Sequence, residues 1–188
     1  MDEFACQQDF LINIGSDKAR VVSDVIAREK PKIVVELGGY LGYSAILFAQ
    51  RTLLQSSKND QPPKVWSLEF EPAFAAIAEE LISIAGLSEY ITVVTGTAAS
   101  SLRAMHADGQ LSTIDLLFID HGEGGIELYE QDLKICEELG LLAAGSCVLA
   151  DNVVRPGAPD YRRYVRNHPR FESEGLSCLI IPGEFAVR

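Results

Sequence analysis

The segment IVVELGGYLGYS, residues 33–44, decides the fold class of this chain. It opens with a short apolar run of strand length, and its glycines break that run before a helical pattern that extends from Ser44 to Leu54. A strand, a glycine-rich turn and a helix in this order are typical of the first unit of a parallel α/β sheet. Small residues in the turn let a ligand approach the backbone closely, so the turn is also a candidate binding site.

The alternation of strand and helix continues along the rest of the chain. Apolar runs predict further strands at residues 65–69, 91–95, 114–119, 147–150 and 176–181, and helical patterns lie at 72–86, 98–107, 127–139 and 160–165. Another helix, capped by Ser16 or Asp17, precedes the first strand. The sequence therefore predicts an α/β fold in one domain over residues 1–188, with a doubly wound, mostly parallel sheet whose last strand is antiparallel.

The charge balance argues against nucleic acid as a partner. The 188 residues include 16 Lys and Arg against 27 Asp and Glu, a net charge of −11, so the clustered basic residues that a phosphate backbone requires are missing. The one local basic cluster, Arg155 with Arg162, Arg163 and Arg166, lies among acids and is typical of one face of a helix. A membrane is equally disfavoured, because no apolar run reaches the roughly 18–20 residues of a span and the acidic start is unlike a signal peptide.

The cysteines indicate a reducing compartment. Cys6, Cys136, Cys147 and Cys178 form no CxxC pair and have no histidine at metal-ligand spacing. Three of them lie in apolar segments, which favours buried free thiols over disulfides. The sequence therefore predicts a cytoplasmic protein.

Four of the predicted strands end in an acid: Glu36, Glu69, Asp120 and Asp151. Open parallel sheets bind ligands outside the carboxyl ends of their strands, so these carboxylates would share one edge. One or two of them are explained equally well as caps of the helices that follow. An acid in the place of Glu69 accepts hydrogen bonds from both hydroxyls of a ribose, which suits NAD and S-adenosylmethionine alike.

Asp120, Asp151 and Asn152 form a more informative group. Two carboxylates and an amide oxygen are hard ligands of the kind that Mg²⁺ accepts. The alternative is that Asp151 and Asn152 open a turn before Pro156 and Gly157. A dehydrogenase is disfavoured, because the turn after the first strand is not GxGxxG and the oxygen cluster would have no use there.

These residues resemble the catechol O-methyltransferase family of Mg²⁺- and S-adenosylmethionine-dependent enzymes. The resemblance rests on segments that follow the family's order: NIG at 13–15, ELGGYLGYS at 36–44, Glu69, FIDH at 118–121 and ADNVVRPG at 150–157. It implies a Rossmann-like sheet of the class I methyltransferase type. It also implies transfer of a methyl group from S-adenosylmethionine to a metal-bound hydroxyl of a catechol-like small molecule.

The resemblance implies a role for each candidate residue. The cofactor would be bound by Asn13, Ile14, Gly15, Glu36, Gly38, Tyr40, Ser44, Glu69, Phe70, Gly96, Ala98, Asp120 and His121. Asp120, Asp151 and Asn152 would hold the Mg²⁺ ion, and Asn152 is also a candidate catalytic residue. Phe10, Pro156 and Glu184 would contact the acceptor, although a surface turn explains Glu184 at least as well.

Three departures from the family's pattern bear on this expectation. Glu123 stands where the family has its catalytic lysine, and it is either a substitute general base or a solvated loop acid. Gly122 replaces an aromatic wall, which predicts a wider acceptor pocket. The chain is N-terminally short for the family, and a more exposed cofactor would motivate a homodimer. If transfer was lost with the lysine, the alternative is a non-catalytic or repurposed protein that binds S-adenosylmethionine.

Overall fold

Helices and strands alternate along the chain in a computed structural model, which describes residues 1–57, 61–122 and 128–178. The helices are α1 (Asp2–Gln7), α2 (Gly15–Glu29), α3 (Tyr43–Gln55), α4 (Pro72–Ile84), α5 (Ala98–Ala107), α6 (Leu128–Glu138) and α7 (Pro159–Asn167). The strands are β1 (Ile33–Leu37), β2 (Lys64–Glu69), β3 (Ile91–Thr95), β4 (Ile114–Ile119) and β5 (Leu142–Ala150). An irregular turn, Val153–Gly157, joins β5 to α7.

The strands of the described chain form one parallel sheet in the order β3-β2-β1-β4-β5. β1 lies at its centre, where Val35 pairs with Trp66 of β2 and with Leu117 of β4. The direction of winding reverses between β1 and β4, and open α/β sheets bind ligands in the crevice at such a switch point. The predicted doubly wound parallel fold is confirmed.

Alternate residues of the strands face two separate hydrophobic clusters. Val35 and Leu37 of β1 pack with α5, α6 and α7, whereas Val34 packs with α2, α3 and α4. Phe48 of α3 meets Phe118 of β4 edge to face, with ring centroids 5.1 Å apart. Because helices cover both faces, the strands read as continuous apolar runs in the sequence.

Gly38 lets the turn after β1 close onto the end of β4. Its φ is +97°, in the region that favours glycine, and a Cβ there would lie 2.6 Å from the backbone oxygen of Asp120. The Gly38 amide donates to the Leu68 carbonyl at 2.9 Å, and the Asp120 amide donates to the Leu37 carbonyl at 2.9 Å. The carboxyl ends of three neighbouring strands therefore meet at one place.

The start of α2 differs from the sequence-based prediction. The helix begins at Gly15, ahead of the predicted caps Ser16 and Asp17. The side-chain oxygen of Asn13 accepts a hydrogen bond from the Gly15 amide at 2.9 Å, so this asparagine holds the turn that leads into the helix. The helix α1 has no counterpart in the prediction.

The C-terminal part differs in two places. β5 begins at Leu142 and not at Cys147, and its pairing with β4 shifts register between Ile114 and Leu116. Small residues at 143–146 weaken the strand pattern there, which explains the late predicted start. Of the predicted last strand, residues 176–178 have no regular structure and 179–181 lie outside the described residues.

Three cysteines are free thiols, as predicted. Cys136 is fully buried, and burial raises the pKa of its thiol to about 12. Cys147 and Cys178 are half-buried, and the side chain of Cys6 lies outside what the structure describes. Among the described helices, none has both the length and the apolar character that a membrane crossing requires.

Candidate active site

A cavity of about 660 Å³ runs along the carboxyl edge of the sheet, past the ends of all five strands in the described chain. Most of the residues predicted from the sequence line it: Phe10, Asn13, Ile14, Gly38, Tyr40, Ser44, Glu69, Phe70, Gly96, Ala98, Asp120, His121, Asp151, Asn152 and Pro156. Gly15 and Glu36 do not line it; Gly15 begins α2, and Glu36 is fully buried in β1. Glu123 and Glu184 lie outside the described residues.

Glu69, at the end of β2, is held in place by backbone amides. The Tyr40 amide donates to its Oε2 at 2.7 Å, and the Glu71 amide donates to its Oε1 at 2.8 Å. Tyr40 has a φ of +44°, a left-handed conformation that turns its amide towards the carboxylate. Each carboxylate oxygen keeps a further lone pair, so the group fits the paired hydroxyls of a ribose.

Glu36 and Asn13 present buried polar atoms without a partner. Within the described part of the chain, Oε1 of Glu36 and Nδ2 of Asn13 make no hydrogen bond, whereas Oε2 of Glu36 accepts from the Ser67 hydroxyl at 2.5 Å. Burial raises the pKa of Glu36 from its ordinary 4.5 to about 7, and the nearby hydroxyls of Ser44 and Ser67 oppose this rise. An orphaned acceptor and an orphaned donor fit the ammonium and the carboxylate of an amino-acid moiety such as that of S-adenosylmethionine.

Apolar and aromatic groups line the cavity near β2 and β3. Phe70 and Phe74 are both exposed there, and the ring of Phe74 packs edge to face on Tyr40 with centroids 4.8 Å apart. Ala98 and Ala99 line the same part of the cavity and supply no polar group. Phe74 was not among the predicted residues, although its place two residues after Pro72 in the first turn of α4 puts it next to the end of β2.

Asp120, Asp151 and Asn152 line the cavity together, as the predicted oxygen cluster requires. Burial and the Asp151 carboxylate raise the pKa of Asp120 well above its usual range, while the Lys18 ammonium lowers it. Within the described residues, no three His, Cys, Asp or Glu side chains converge as a metal cluster, so the amide oxygen of Asn152 is the third hard ligand available. Two carboxylates and an amide oxygen at one cavity wall fit Mg²⁺ by their donor chemistry.

Lys18 is a charged site residue that sequence reasoning missed. Its Nζ donates to Asp151 Oδ2 at 2.6 Å and to Asn152 Oδ1 at 3.3 Å. The sequence pattern could have indicated this residue, because Lys18 lies on the same face of the helix as Val22 and Val25, which are buried. A lysine on the buried face of a helix requires an anionic partner.

His121 is fixed by a second residue that was not predicted, Asp132. The two side chains are buried and lie 2.8 Å apart, Nε2 to Oδ2. Tyr129 packs edge to face on the imidazole, with centroids 5.2 Å apart. His121 Nε2 is thus engaged on the side of α6, and the ring is held at the cavity wall in one orientation.

The described residues on the predicted acceptor side of the cavity are exposed. Phe10 is 59% exposed, and Gly122 and Pro156 are also exposed. All three line the cavity, and Gly122 contributes no side chain to its wall. The wider pocket stays a prediction, because residues 123–127, which follow Gly122, lie outside the described residues.

The fold and the site together define an α/β protein with a large cavity at the switch point of a parallel sheet, the place where such sheets bind ligands. The family is shown by comparison with known sequences. The sequence model described as O-methyltransferase matches residues 4–173, and the chain belongs to that family.

Named relatives agree with this assignment. Catechol O-methyltransferase of Bos taurus is 34% identical over 180 residues, which make up 96% of this chain and 62% of that protein. Catechol O-methyltransferase of Sus scrofa is 37% identical over 169 residues, 90% of this chain and 86% of that protein. The chain therefore spans less than two thirds of the bovine relative's length. These identities confirm the resemblance to catechol O-methyltransferases that was found in the sequence.

A solved structure shows the same fold. The O-methyltransferase from Bacillus cereus, solved in complex with SAH, superposes with a TM-score of 0.72 at 22% identity. The match covers 85% of this chain and 73% of that one. At this identity the likeness is one of architecture.

Proposed function

We propose that this protein transfers a methyl group from S-adenosylmethionine to a hydroxyl of a catechol-like small molecule, with Mg²⁺ bound beside that hydroxyl. The single observation that carries the proposal is the cavity itself. It runs from Glu69 at the end of β2 to Asp151 and Asn152 after β5, so a nucleoside site and an oxygen-ligand site share one continuous space. Membership in the O-methyltransferase family supports the reaction class.

The cofactor's two ends match two groups of residues. Glu69 would bind the ribose hydroxyls, because backbone amides already hold both of its oxygens in place. Asn13 lines the cavity, and its unpaired Nδ2 would bind the carboxylate of the amino-acid end. Glu36 does not line the cavity, so its unpaired Oε1 would reach the ammonium only if the lining opens when the cofactor binds. Phe70 and Phe74 would pack against the adenine as exposed aromatic walls.

The acceptor would lie where the oxygen cluster meets the open side of the cavity. Asp120, Asp151 and Asn152 would hold the metal, and Phe10 and Pro156 would flank a flat ring. When bound, S-adenosylmethionine supplies an electrophilic methyl group and Mg²⁺ lowers the pKa of the acceptor hydroxyl. His121, held by Asp132, would fix the wall beside the reacting atoms, so these residues contribute mainly by positioning.

The proton acceptor is assigned to no described residue. Among the described residues that line the cavity, the one lysine is Lys18, and its ammonium already donates to Asp151 and Asn152. Glu123 remains the predicted general base and Glu184 a predicted acceptor contact, and both lie outside the described residues. The homodimer and the cytoplasmic location likewise remain predictions from the sequence.

The test is methyl transfer to a mixed panel of catechols, read by mass spectrometry with Mg²⁺ and with EDTA. The proposal predicts a gain of one methyl group that requires Mg²⁺. Asp151→Ala is expected to abolish both turnover and metal dependence while cofactor affinity changes little. Asp24→Ala, which removes an exposed carboxylate from α2, is the matched control and should behave as wild type.

Cofactor binding is measured separately by calorimetry. Glu69→Gln should weaken the binding of S-adenosylmethionine by about tenfold or more, since a charge-assisted hydrogen bond contributes roughly 1.5–3 kcal/mol. Glu80→Gln, on the exposed face of α4, should not. Cofactor binding without any methylated product would favour the non-catalytic alternative, and no cofactor binding at all would contradict both.

A further inference from the structure

Lys18 occupies the oxygen ligands that the proposed metal would use. Its side chain reaches from α2 to the end of β5, and it is 8% exposed. Nζ lies 2.6 Å from Asp151 Oδ2 and 3.3 Å from Asn152 Oδ1. An ammonium group is itself a cation, so the pair of oxygens already holds one positive charge.

The other polar side-chain atoms of Asp151 and Asn152 already have hydrogen-bond partners. Asp151 Oδ1 accepts from the Asn152 amide at 2.6 Å, and Asn152 Nδ2 donates to the Arg155 carbonyl at 3.1 Å. These bonds fix the orientation of both side chains and aim Asp151 Oδ2 and Asn152 Oδ1 at Lys18. A divalent cation that binds the same two oxygens would meet the ammonium at contact distance, where like charges repel strongly in a buried site.

The charge around the site explains why a lysine is there. Among the described residues that line the cavity, Lys18 is the one Lys or Arg, against five carboxylates: Glu69, Glu71, Asp120, Asp132 and Asp151. A buried pair of carboxylates without a cation is costly. Lys18 therefore stabilises the fold whenever no other cation is bound.

Lys18 borders a second cavity as well. Lys18, Asp151 and Asn152 line this second cavity of about 290 Å³, together with Ser177 and Cys178. Among the described residues, Lys18 thus lines both of these cavities.

We infer that Lys18 is an internal cation that competes with the divalent metal for Asp151 and Asn152 and so sets the metal affinity of the site. The inference rests on the metal site of the proposed function. It makes Lys18 a positioning residue that preserves the ligand geometry in the metal-free protein and is displaced when the metal binds.

The test is calorimetric titration of the ligand-free full chain with MgCl₂ alone. Lys18→Met keeps the length and apolar stem of the side chain and removes its charge, and it should bind Mg²⁺ at least tenfold more tightly than wild type. In EDTA its midpoint of thermal unfolding should fall, and saturating Mg²⁺ should raise that midpoint by more than in wild type. Arg20→Met removes a charge from the exposed face of the same helix and is the matched control.

The outcomes separate the two proposals. Equal or weaker Mg²⁺ binding by Lys18→Met overturns competition by Lys18 while the metal site stands. Failure of wild type and Lys18→Met alike to bind Mg²⁺, or undiminished binding by Asp151→Ala, overturns the metal site itself and the Lys18 proposal with it. If Lys18→Met does not fold, Lys18→Gln replaces it, since the shorter polar chain is neutral and still reaches towards the oxygens.

Discussion

Replacing Glu36 by glutamine is expected to stabilise the protein and to weaken cofactor binding at the same time. Glu36 is fully buried, and its pKa is raised from 4.5 to about 7. A carboxyl whose pKa is raised on folding binds its proton more tightly in the native state, so its contribution to stability falls as the pH rises from 4.5 to 7. One pKa unit corresponds to about 1.4 kcal/mol, so the ionised carboxylate destabilises the fold by about 3 kcal/mol above pH 7.

Glutamine removes this penalty and keeps the shape. Its side-chain oxygen can still accept from the Ser67 hydroxyl, which lies 2.5 Å from Glu36 Oε2. We expect Glu36→Gln to raise the free energy of unfolding by about 2–3 kcal/mol at pH 8.5 and to change it little at pH 4.5, where wild type is neutral too. The loss of a carboxylate partner for the cofactor's ammonium should weaken binding by about 10- to 100-fold.

Urea unfolding at several pH values between 4.5 and 8.5 measures the first effect, and calorimetry with S-adenosylmethionine measures the second. Glu80→Gln, an exposed substitution, should give parallel stability curves at every pH. A difference between Glu36→Gln and wild type that is the same at both ends of the range would refute the assigned pKa. Unchanged cofactor affinity would remove Glu36 from the binding site.

Three further predictions concern the turn, the core and the proton acceptor. Gly38→Ala should cost about 2–4 kcal/mol of stability, because φ is +97° and the added Cβ would lie 2.6 Å from Asp120 O. The control Gly109→Ala, with φ +70° and nothing within 4 Å, should cost only about 1 kcal/mol. Equal losses of the two variants in urea unfolding would contradict the close approach at Gly38. Cys136, whose pKa burial raises to about 12, should resist thiol reagents at pH 8 until the protein is unfolded, and rapid labelling of the native protein at this residue would count against its burial. If Glu123 takes the acceptor's proton, Glu123→Gln should lower the rate of methyl transfer most at low pH, and superimposable pH–rate profiles would exclude it as the base.

The order of elements could be predicted because it depends on local pattern. The strands β1, β2 and β4 each present a short, mostly buried apolar run, and the half-buried edge strand β3 also has one. Such runs are visible without knowledge of their partners. β5 was only partly predicted, since its first residues are small and pair irregularly with β4. The start of α2 was misplaced because Asn13 holds its first turn from a position before the expected caps.

The strand ends of the site were predictable for a geometric reason. In a parallel sheet the carboxyl ends share one edge, so Glu69, Asp120 and Asp151 could be placed on that edge once the strands were known. Residues that reach the site from helices were not predictable in this way. Lys18 on α2 is 133 residues from Asp151, and Asp132 approaches His121 only because α6 packs back over the end of β4.

Of the missed residues, Lys18 follows from the charge of the predicted ones. An edge that gathers several carboxylates is electrostatically unfavourable unless each is compensated. The structure compensates Glu69 with two backbone amides, Glu36 with the Ser67 hydroxyl and a raised pKa, and Asp151 with the ammonium of Lys18. A ligand that brings positive charge to this edge relieves the same repulsion, and both proposed ligands do so, one through its sulfonium and ammonium groups and the other as a divalent cation. The acidity of the edge therefore favours the proposed pair of ligands over an anionic one, and it makes Lys18 the group whose charge either ligand would have to accommodate.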